Sequence, residues 1–314
     1  MPESSCRVGD LDIAYETLGK ASDPAILLVM GLGTQMIGWH EDFCAALAGR
    51  GFHVIRFDNR DVGRSSAMRG AHVPTIGQLV RRDKKAASYT IEDMADDGVG
   101  LLDQLGIERA HVVGASMGGM IAQTIAARHP DRVLSLVSIM SNTGARWSGQ
   151  PKLATYRVLI GRPPQERDAY IEHMVKTFKI IGSPGFERDE DELRRTAARS
   201  YDRGRNPAGA GRQLAAIIAS GDRTALLASI RVPTLVIHGE KDRLVSPSGG
   251  RATARAIPGA RLLTVPGMGH DLPRGAWPQI IDAIAENAAR AGTSPEPRFA
   301  RGPRAGTPDA APRA

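Results

Sequence analysis

The first half of the chain alternates short apolar segments with longer amphipathic ones. Ala25 to Met30 is apolar at every position, as a strand buried on both of its faces should be. Leu11 to Glu16 alternates between apolar and polar positions in the manner of a half-buried strand. Further strands are predicted at 53–57, 111–115, 133–140, 234–239 and 261–265. Strands that alternate with helices predict an α/β fold with a mainly parallel central sheet flanked by helices.

Caps, apolar stripes and proline positions mark the helices between these strands. One helix is predicted from Trp39 to Leu47, before two glycines that end it. Thr90 begins another, because Asp93 stands three residues later as in a capping box and an apolar stripe follows. A final helix opens with Pro278 in its first turn.

The alternation gives way to helix-like segments rich in arginine and acidic residues between residues 142 and 227. We interpret 142–227 as a helical cap inserted into an α/β core of residues 1–141 and 228–291. Residues 292–314 are mostly Pro, Gly, Ala and Arg, with little apolar surface to offset the entropy of ordering them. They are predicted to form a disordered tail.

A second irregular segment, residues 67–88, combines Arg81, Arg82, Lys84 and Lys85 with a few apolar residues. This composition is typical either of a solvated loop with a short helix or of contact with a membrane surface. The solvated loop is the expectation, and membrane contact is the alternative.

The composition indicates an ordinary globular protein, since 42% of the 314 residues are hydrophobic and 24% are charged. The net charge of +7 comes from arginines spread along the chain, so nucleic-acid binding is not expected. Cys6 and Cys44 are too few for a disulfide framework, which favours a reducing compartment. The sequence shows neither a secretory signal pattern nor the roughly 18 consecutive apolar residues of a membrane span. A cytoplasmic location is expected, and the oligomeric state is left open.

The pentapeptide from Gly114 to Gly118 (GASMG) fits the pattern G-x-S-x-G with Ser116 at its centre. It joins a predicted buried strand to a predicted helix, the setting in which this pattern presents a serine nucleophile on a sharp turn. Side chains at positions 114 and 118 would collide with neighbouring elements in such a turn, which explains the glycines. Ser116 is therefore the candidate nucleophile, and the alternative is a serine that only caps the helix.

A serine hydroxyl needs a base to take its proton, and the chain has eight histidines. His270 lies in a glycine-rich loop (GMGHDLP) after the last predicted strand. In a parallel sheet this loop opens at the same edge as the loop of Ser116, so His270 is the predicted base. His40 and His238 also follow strands at that edge and remain alternatives.

The histidine in turn needs a carboxylate that fixes its tautomer. The loop after strand 133–140 begins with Ser, Asn and Thr, none of which is ionisable. The loop HGEKDRLV after strand 234–239 offers Asp242 as the predicted acid and Glu240 as the alternative. The order Ser, Asp, His along the chain differs from that of chymotrypsin-like and subtilisin-like enzymes.

Backbone N–H groups are expected to stabilise the oxyanion that forms when the serine attacks an ester. Met117, directly after the nucleophile, should supply one, and Leu32, in the glycine turn after strand 25–30, the other. Gly31 and Trp39 are predicted to lie in the substrate pocket. No cofactor and no metal are predicted.

Five segments, LVMGLG, FDNRDVGRSS, VVGASMGG, HGEKDRLV and GMGHDLP, together resemble the α/β-hydrolase superfamily over about residues 10 to 290. Within it, MGLG with DNRDVGRSS and GASMGGMIAQ is similar to mycobacterial lipase G-like carboxylesterases and, more distantly, to aclacinomycin-type methylesterases. The resemblance implies ester or thioester hydrolysis without a cofactor, and a loop-stabilising role for Asp58, Arg60 and Gly63. Met30 stands where the superfamily usually has a histidine.

Three hypotheses about function follow. The first is a serine hydrolase that cleaves a small-molecule carboxylic ester through an acyl-enzyme intermediate. The second is a cofactor-free perhydrolase, a haloperoxidase or a carbon–carbon bond hydrolase, because the same three residues can serve these reactions. The third is a small-molecule-binding protein with little turnover, and the intact Ser116, Asp242 and His270 argue against it.

Overall fold

Eight strands form one sheet in the computed structural model, which describes residues 2–155, 161 and 163–293. Their bounds are β1 Glu3–Val8, β2 Leu11–Leu18, β3 Ala25–Val29, β4 His53–Phe57, β5 Ala110–Ala115, β6 Val133–Ile139, β7 Thr234–Gly239 and β8 Arg261–Val265. In space the strands follow the order β1-β2-β4-β3-β5-β6-β7-β8. All neighbours from β4 to β8 are parallel, whereas β2 pairs with β1 and with β4 in antiparallel register. The predicted mainly parallel sheet is confirmed.

The central strands are buried on both faces, which is why their sequences are apolar along their length. Every residue of β3, β5 and β7 is buried. The edge strand β1 differs, because its sequence ESSCRV is mostly polar and none of its residues is fully buried. The hydrophobic pattern did not predict β1, since an antiparallel strand at a sheet edge can keep polar side chains in water.

Ten α-helices occur in the described part of the chain. Their bounds are α1 Glu41–Ala48, α2 Ile76–Val80, α3 Ile91–Gln104, α4 Met117–Arg128, α5 Arg167–Ile181, α6 Glu190–Arg203, α7 Pro207–Ser220, α8 Thr224–Leu227, α9 Ser248–Ala256 and α10 Trp277–Ala289. The capping box predicted at the start of α3 is present. The Thr90 hydroxyl accepts a hydrogen bond from the Asp93 amide (3.3 Å), and the Asp93 carboxylate accepts one from the Thr90 amide (2.7 Å).

Helices cover both faces of the sheet and create two apolar layers. Alternate residues of β3 contribute to the two layers, as the period of a strand requires. Leu27 and Val29 belong to the layer under α3 and α4, whereas Ile26 and Leu28 belong to the layer under α1 and α10. This packing leaves the carboxyl ends of the parallel strands at one edge, where the loops after β3, β5, β7 and β8 meet.

Helices α5 to α8 lie between β6 and β7 in the chain, within the segment predicted as a cap. Two arginines of these helices bind the loop after β4. Arg203 of α6 lies 3.0 Å from Asp58, and Arg212 of α7 lies 2.7 Å from Asp61. Both carboxylates are fully buried, so each arginine compensates a charge that would be costly alone. The division of the chain into a core and a cap stays a prediction.

The predicted disordered tail comprises residues 292–314. Residues 294–314 of this tail lie outside the described residues.

Both cysteines, Cys6 and Cys44, are free thiols. Within the described ranges, the structure contains no helix that is long and apolar enough to cross a membrane.

Candidate active site

Ser116 stands on a sharp turn between β5 and α4. Its backbone has a φ of 57° and a ψ of −120°, a conformation that residues other than glycine rarely adopt. Two glycines allow the turn to form. A Cβ atom at Gly114 would lie 2.0 Å from the Gly118 carbonyl oxygen, and one at Gly118 would lie 2.1 Å from the Val29 carbonyl oxygen. The Ser116 side chain is thereby presented to a cavity.

A continuous chain of hydrogen bonds joins Ser116, His270 and Asp242. His270 Nε2 lies 2.9 Å from Ser116 Oγ, and His270 Nδ1 lies 2.7 Å from Asp242 Oδ2. The other carboxylate oxygen, Asp242 Oδ1, accepts hydrogen bonds from the amides of Leu244 (2.8 Å) and Val245 (2.9 Å). The structure thus brings together three side chains that lie in separate loops of the sequence.

The Asp242 carboxylate is buried yet remains ionised. Burial alone would raise the pKa of Asp242, but the adjacent imidazoles of His270 and His238 lower that pKa to about 2. An ionised acceptor at Nδ1 favours the tautomer in which the His270 proton lies on Nδ1. His270 Nε2 is then free to accept the proton of Ser116.

The alternative residues considered from the sequence have other partners. The Nε2 atom of His238 lies 2.8 Å from the Val245 carbonyl oxygen and 3.5 Å from Asp242 Oδ2. His40 caps the start of α1, where its Nδ1 accepts a hydrogen bond from the Asp42 amide (3.0 Å). Glu240, the alternative acid, is exposed at the surface. The geometry therefore favours His270 as base and Asp242 as its carboxylate.

The two predicted oxyanion donors lie beside Ser116. Met117 is the first residue of α4, so its amide N–H has no acceptor within the helix. A Cβ atom at Gly31 would lie only 3.0 Å from the Ser116 Cβ, which places the turn with Leu32 next to the nucleophile. Gly31, Leu32 and Met117 all line the cavity. The two predicted donor residues therefore border the same cavity as Ser116.

Gln213 of α7 holds the turn after β3. Its Oε1 accepts a hydrogen bond from the Gly33 amide (2.8 Å), and its Nε2 donates to the Arg60 carbonyl (2.9 Å). Asn59 adds a second contact by donating to the Met30 carbonyl (2.9 Å). These contacts explain how the loop is held although Met30 replaces the usual histidine. The sequence pattern did not reveal Gln213, whose only signal is a polar side chain in a largely apolar helix.

The loop that carries His270 is held by the last residue of α5 and by a serine just after it. The His270 amide donates to the Ile181 carbonyl (2.7 Å), and the Gly269 amide donates to Ser183 Oγ (2.8 Å). The Ser183 hydroxyl in turn donates to the carboxylate of Asp271, whose pKa is raised by burial. Ser183 is a second residue that the sequence pattern did not reveal, because only the folded chain brings it to this loop.

The family resemblance implies a loop-stabilising role for Asp58, Arg60 and Gly63, and their contacts tie the loop after β4 to Met36, to α3 and to itself. Asp58 Oδ1 accepts a hydrogen bond from the Met36 amide (2.7 Å). Arg60 forms an ion pair with Asp97 (2.6 Å). Gly63 has a φ of +57°, and a Cβ atom there would lie 2.2 Å from Asp58 Oδ2. All three residues therefore stabilise the loop, and none of them touches Ser116.

A cavity of about 1920 Å³ opens above Ser116. Common small-molecule pockets are smaller, at roughly 300–1,000 Å³. Methionines are prominent among its apolar lining residues, which include Met117, Met120 and Met140. Flexible thioether side chains adapt to irregular ligand shapes. The site can therefore accept a substrate that is large and mostly apolar.

The prediction that Trp39 lies in the substrate pocket is wrong. Trp39 is fully buried, and its ring stacks on Phe43 with the ring centroids 5.7 Å apart. The neighbouring residues Gly38 and His40 line the cavity instead. A large aromatic ring gains more from complete removal from water than from a place in an open cavity, so Trp39 packs into the layer under α1.

The sheet order and the strand–turn–helix at Ser116 are those of α/β hydrolases. The family described as the alpha/beta hydrolase fold matches residues 24–273 of this chain. The match spans most of the sequence, and the chain therefore belongs to this family. The resemblance stated from the motifs is confirmed.

Individual relatives are similar over nearly the whole chain. Rhodomycin D methylesterase DauP from Streptomyces sp. (strain C5) is 28% identical, with 93% of this chain and 99% of the relative covered. The enol-lactonase from Burkholderia xenovorans LB400 is 25% identical with a TM-score of 0.66, covering 93% of this chain and 100% of that structure. A thermophilic esterase from Thermogutta terrifontis shares the fold, with a TM-score of 0.68 at 23% identity and coverage of 93% and 99%.

Proposed function

We propose that this α/β hydrolase cleaves carboxylic esters with Ser116 as nucleophile, His270 as base and Asp242 as the acid that orients the base. The hydrogen-bonded chain from Ser116 Oγ through His270 to Asp242 carries the proposal. It places the nucleophile in hydrogen-bond contact with its base, and the carboxylate fixes the tautomer of that base. The methylesterase relative supports ester hydrolysis as the reaction.

The geometry leads to a two-step mechanism. His270 Nε2 takes the Ser116 proton as Oγ bonds to the ester carbonyl carbon, and the amides of Leu32 and Met117 stabilise the resulting oxyanion. The intermediate expels the alcohol, which takes the proton from His270 and leaves an acyl ester on Ser116. Water then attacks this ester while His270 accepts a water proton. Collapse of the second intermediate returns that proton to Ser116 and releases the carboxylic acid.

The cavity supports a bulky acyl group as part of the proposed substrate. Its volume and its apolar lining residues, which include Met117, Met120 and Met140, suit a large and mostly apolar acid. The methylesterase relative is named for a methyl ester, in which the alcohol is small. We infer that the substrate is an ester of a large acid with a small alcohol.

Labelling by a fluorophosphonate probe tests the nucleophile, because such probes react with activated serines. The wild-type protein should be labelled, and so should Ser148→Ala, which removes another serine of the same cavity. Ser116→Ala and His270→Ala should not be labelled. Persistent labelling of Ser116→Ala would contradict the proposal.

A panel of esters tests the substrate inference separately. Values of kcat/KM should rise as the acid of a methyl ester becomes larger and should fall as the alcohol becomes larger. p-Nitrophenyl esters of graded chain length serve as activated references. Perhydrolysis and carbon–carbon bond cleavage are measured in parallel, and faster turnover in either assay would replace ester hydrolysis as the main reaction.

A further inference from the structure

Apolar side chains stand exposed at the mouth of the cavity. The exposed fractions are 44% for Val73, 49% for Ile76, 68% for Val80 and 86% for Trp147. Ile76 and Val80 are four residues apart on α2 and share one face of that helix. All four residues line the cavity, so its apolar surface continues outward to the solvent. These four residues are called the mouth patch below.

Four basic side chains directly follow Val80 of the mouth patch along the chain. Arg81, Arg82, Lys84 and Lys85 are all exposed. Across the residues that the structure describes, none of these four cations forms an ion pair. Asp83, the one acid in the sequence from 67 to 88, accepts a hydrogen bond from the Lys85 amide (3.0 Å). Four cations are therefore available to an external anion.

A substrate inside the cavity does not account for these cations. Arg82 lines the cavity, but Arg81, Lys84 and Lys85 do not. An anionic lipid surface suits both features, because aliphatic groups enter the acyl boundary while lysine and arginine reach the headgroup phosphates. The mouth patch also contains Trp147, and tryptophan is favoured at membrane interfaces.

We propose that the mouth patch and Arg81, Arg82, Lys84 and Lys85 dock the protein on an anionic phospholipid membrane, with the cavity mouth facing the lipid. Of the two interpretations that the sequence offered for this segment, the exposed apolar face favours the membrane. The proposal goes beyond ester hydrolysis, and docking does not require an active nucleophile. If the proposed esterase activity holds, docking also gives an amphiphilic ester an apolar path from the bilayer to Ser116.

Vesicle flotation of the full-length Ser116→Ala protein tests the proposal without turnover. Vesicles of phosphatidylcholine mixed with phosphatidylglycerol should bind the protein, phosphatidylcholine alone should bind it more weakly, and added salt should weaken binding to the mixed vesicles. Lys84→Gln with Lys85→Gln should lower the partition coefficient about thirtyfold, at about 1 kcal/mol for each cation. Arg251→Gln with Arg255→Gln removes the same charge from exposed positions on α9 and should leave binding unchanged.

A second pair of variants tests the apolar contribution. Val80→Ser should lower the partition coefficient about tenfold, since it removes apolar surface that would enter the lipid. Leu262→Ser, at a partly exposed position on β8, is the matched control and should have no effect. Melting temperatures of all variants show that they remain folded.

Three results would overturn the proposal. The first is no binding to either vesicle, and the second is binding that the Lys84→Gln and Lys85→Gln pair leaves unchanged. The third is self-association on gel filtration that Val80→Ser abolishes without any vesicle binding, which would make the mouth patch a contact between copies of the chain. With Ser116 intact, the lysine pair should hydrolyse a water-soluble ester at the wild-type rate. Loss of docking is thereby distinguished from failure of the proposed catalysis.

Discussion

Replacing Gln213 with methionine should slow ester hydrolysis and leave KM nearly unchanged. Gln213→Met keeps the length of the side chain but removes both of its hydrogen bonds in a fully buried position. The Gly33 amide and the Arg60 carbonyl then lose their partner. Gly33 is exposed and Arg60 is half-buried, so water can replace the lost partner. At a net contribution of about 0.5–1.5 kcal/mol for each hydrogen bond, the free energy of unfolding should fall by about 1–3 kcal/mol.

The catalytic effect follows from the place of Gly33 in the chain. Gly33 directly follows Leu32, so loss of the Gln213 contact frees the turn that is proposed to hold one oxyanion donor. One such donor contributes about 3–4 kcal/mol to the transition state. Loss of half of this stabilisation lowers kcat by about tenfold to thirtyfold. KM should change little, because the oxyanion forms only on the way to the transition state.

Steady-state kinetics on a soluble ester, well below the melting temperatures of the variants, provides the assay. Gln123→Met is the matched control, because Gln123 is also fully buried but donates its hydrogen bond to Ser138 (2.9 Å). It should lower stability and leave kcat unchanged. An equal loss of kcat in both variants, or a change confined to KM in Gln213→Met, would refute the reasoning.

Three further changes test other parts of the site. The pKa of Asp242 is lowered from 3.8 to about 2, so its ionised form stabilises the fold above about pH 4 and this contribution is lost as the pH falls towards 2. Urea unfolding at about pH 5 and about pH 3 should therefore show a larger loss of stability for the wild type than for Asp242→Asn, and equal losses would contradict the shift. Ser183→Ala should lower kcat, because the Ser183 hydroxyl accepts a hydrogen bond from the Gly269 amide (2.8 Å). Ser183→Thr keeps a hydroxyl and should restore kcat. An unchanged kcat in Ser183→Ala would argue against this role. Trp39→Phe should lower the melting temperature and leave KM unchanged, because Trp39 is fully buried. A raised KM with an unchanged melting temperature would indicate that Trp39 contacts the substrate.

The sheet could be predicted from the sequence because its central strands are buried on both faces. The predicted ends of β4, β7 and β8 agree with the structure, and β3 and β6 end one residue earlier than predicted. β1 could not be predicted, because a polar edge strand depends on its pairing with β2 and not on its own apolar pattern.

Some residues of the candidate site could likewise be predicted from the sequence, and others could not. Ser116, Asp242 and His270 could be proposed from the sequence because each lies in a loop directly after a strand, and parallel strands bring such loops to one edge. Gln213 and Ser183 could not, because they reach the site from the helical segment between β6 and β7. Their role depends on three-dimensional packing that no short motif encodes.

The proposed role of Ser116 is tested most directly by identifying the residue that carries the acyl group during turnover. A p-nitrophenyl ester is mixed with the wild-type protein, the reaction is quenched in acid within the first turnovers, and the acylated peptide is mapped by mass spectrometry. If Ser116 is the nucleophile, a single acyl group is expected on the peptide that contains Ser116 and none in Ser116→Ala. An acyl group on another residue, or full activity of Ser116→Ala, would contradict this role.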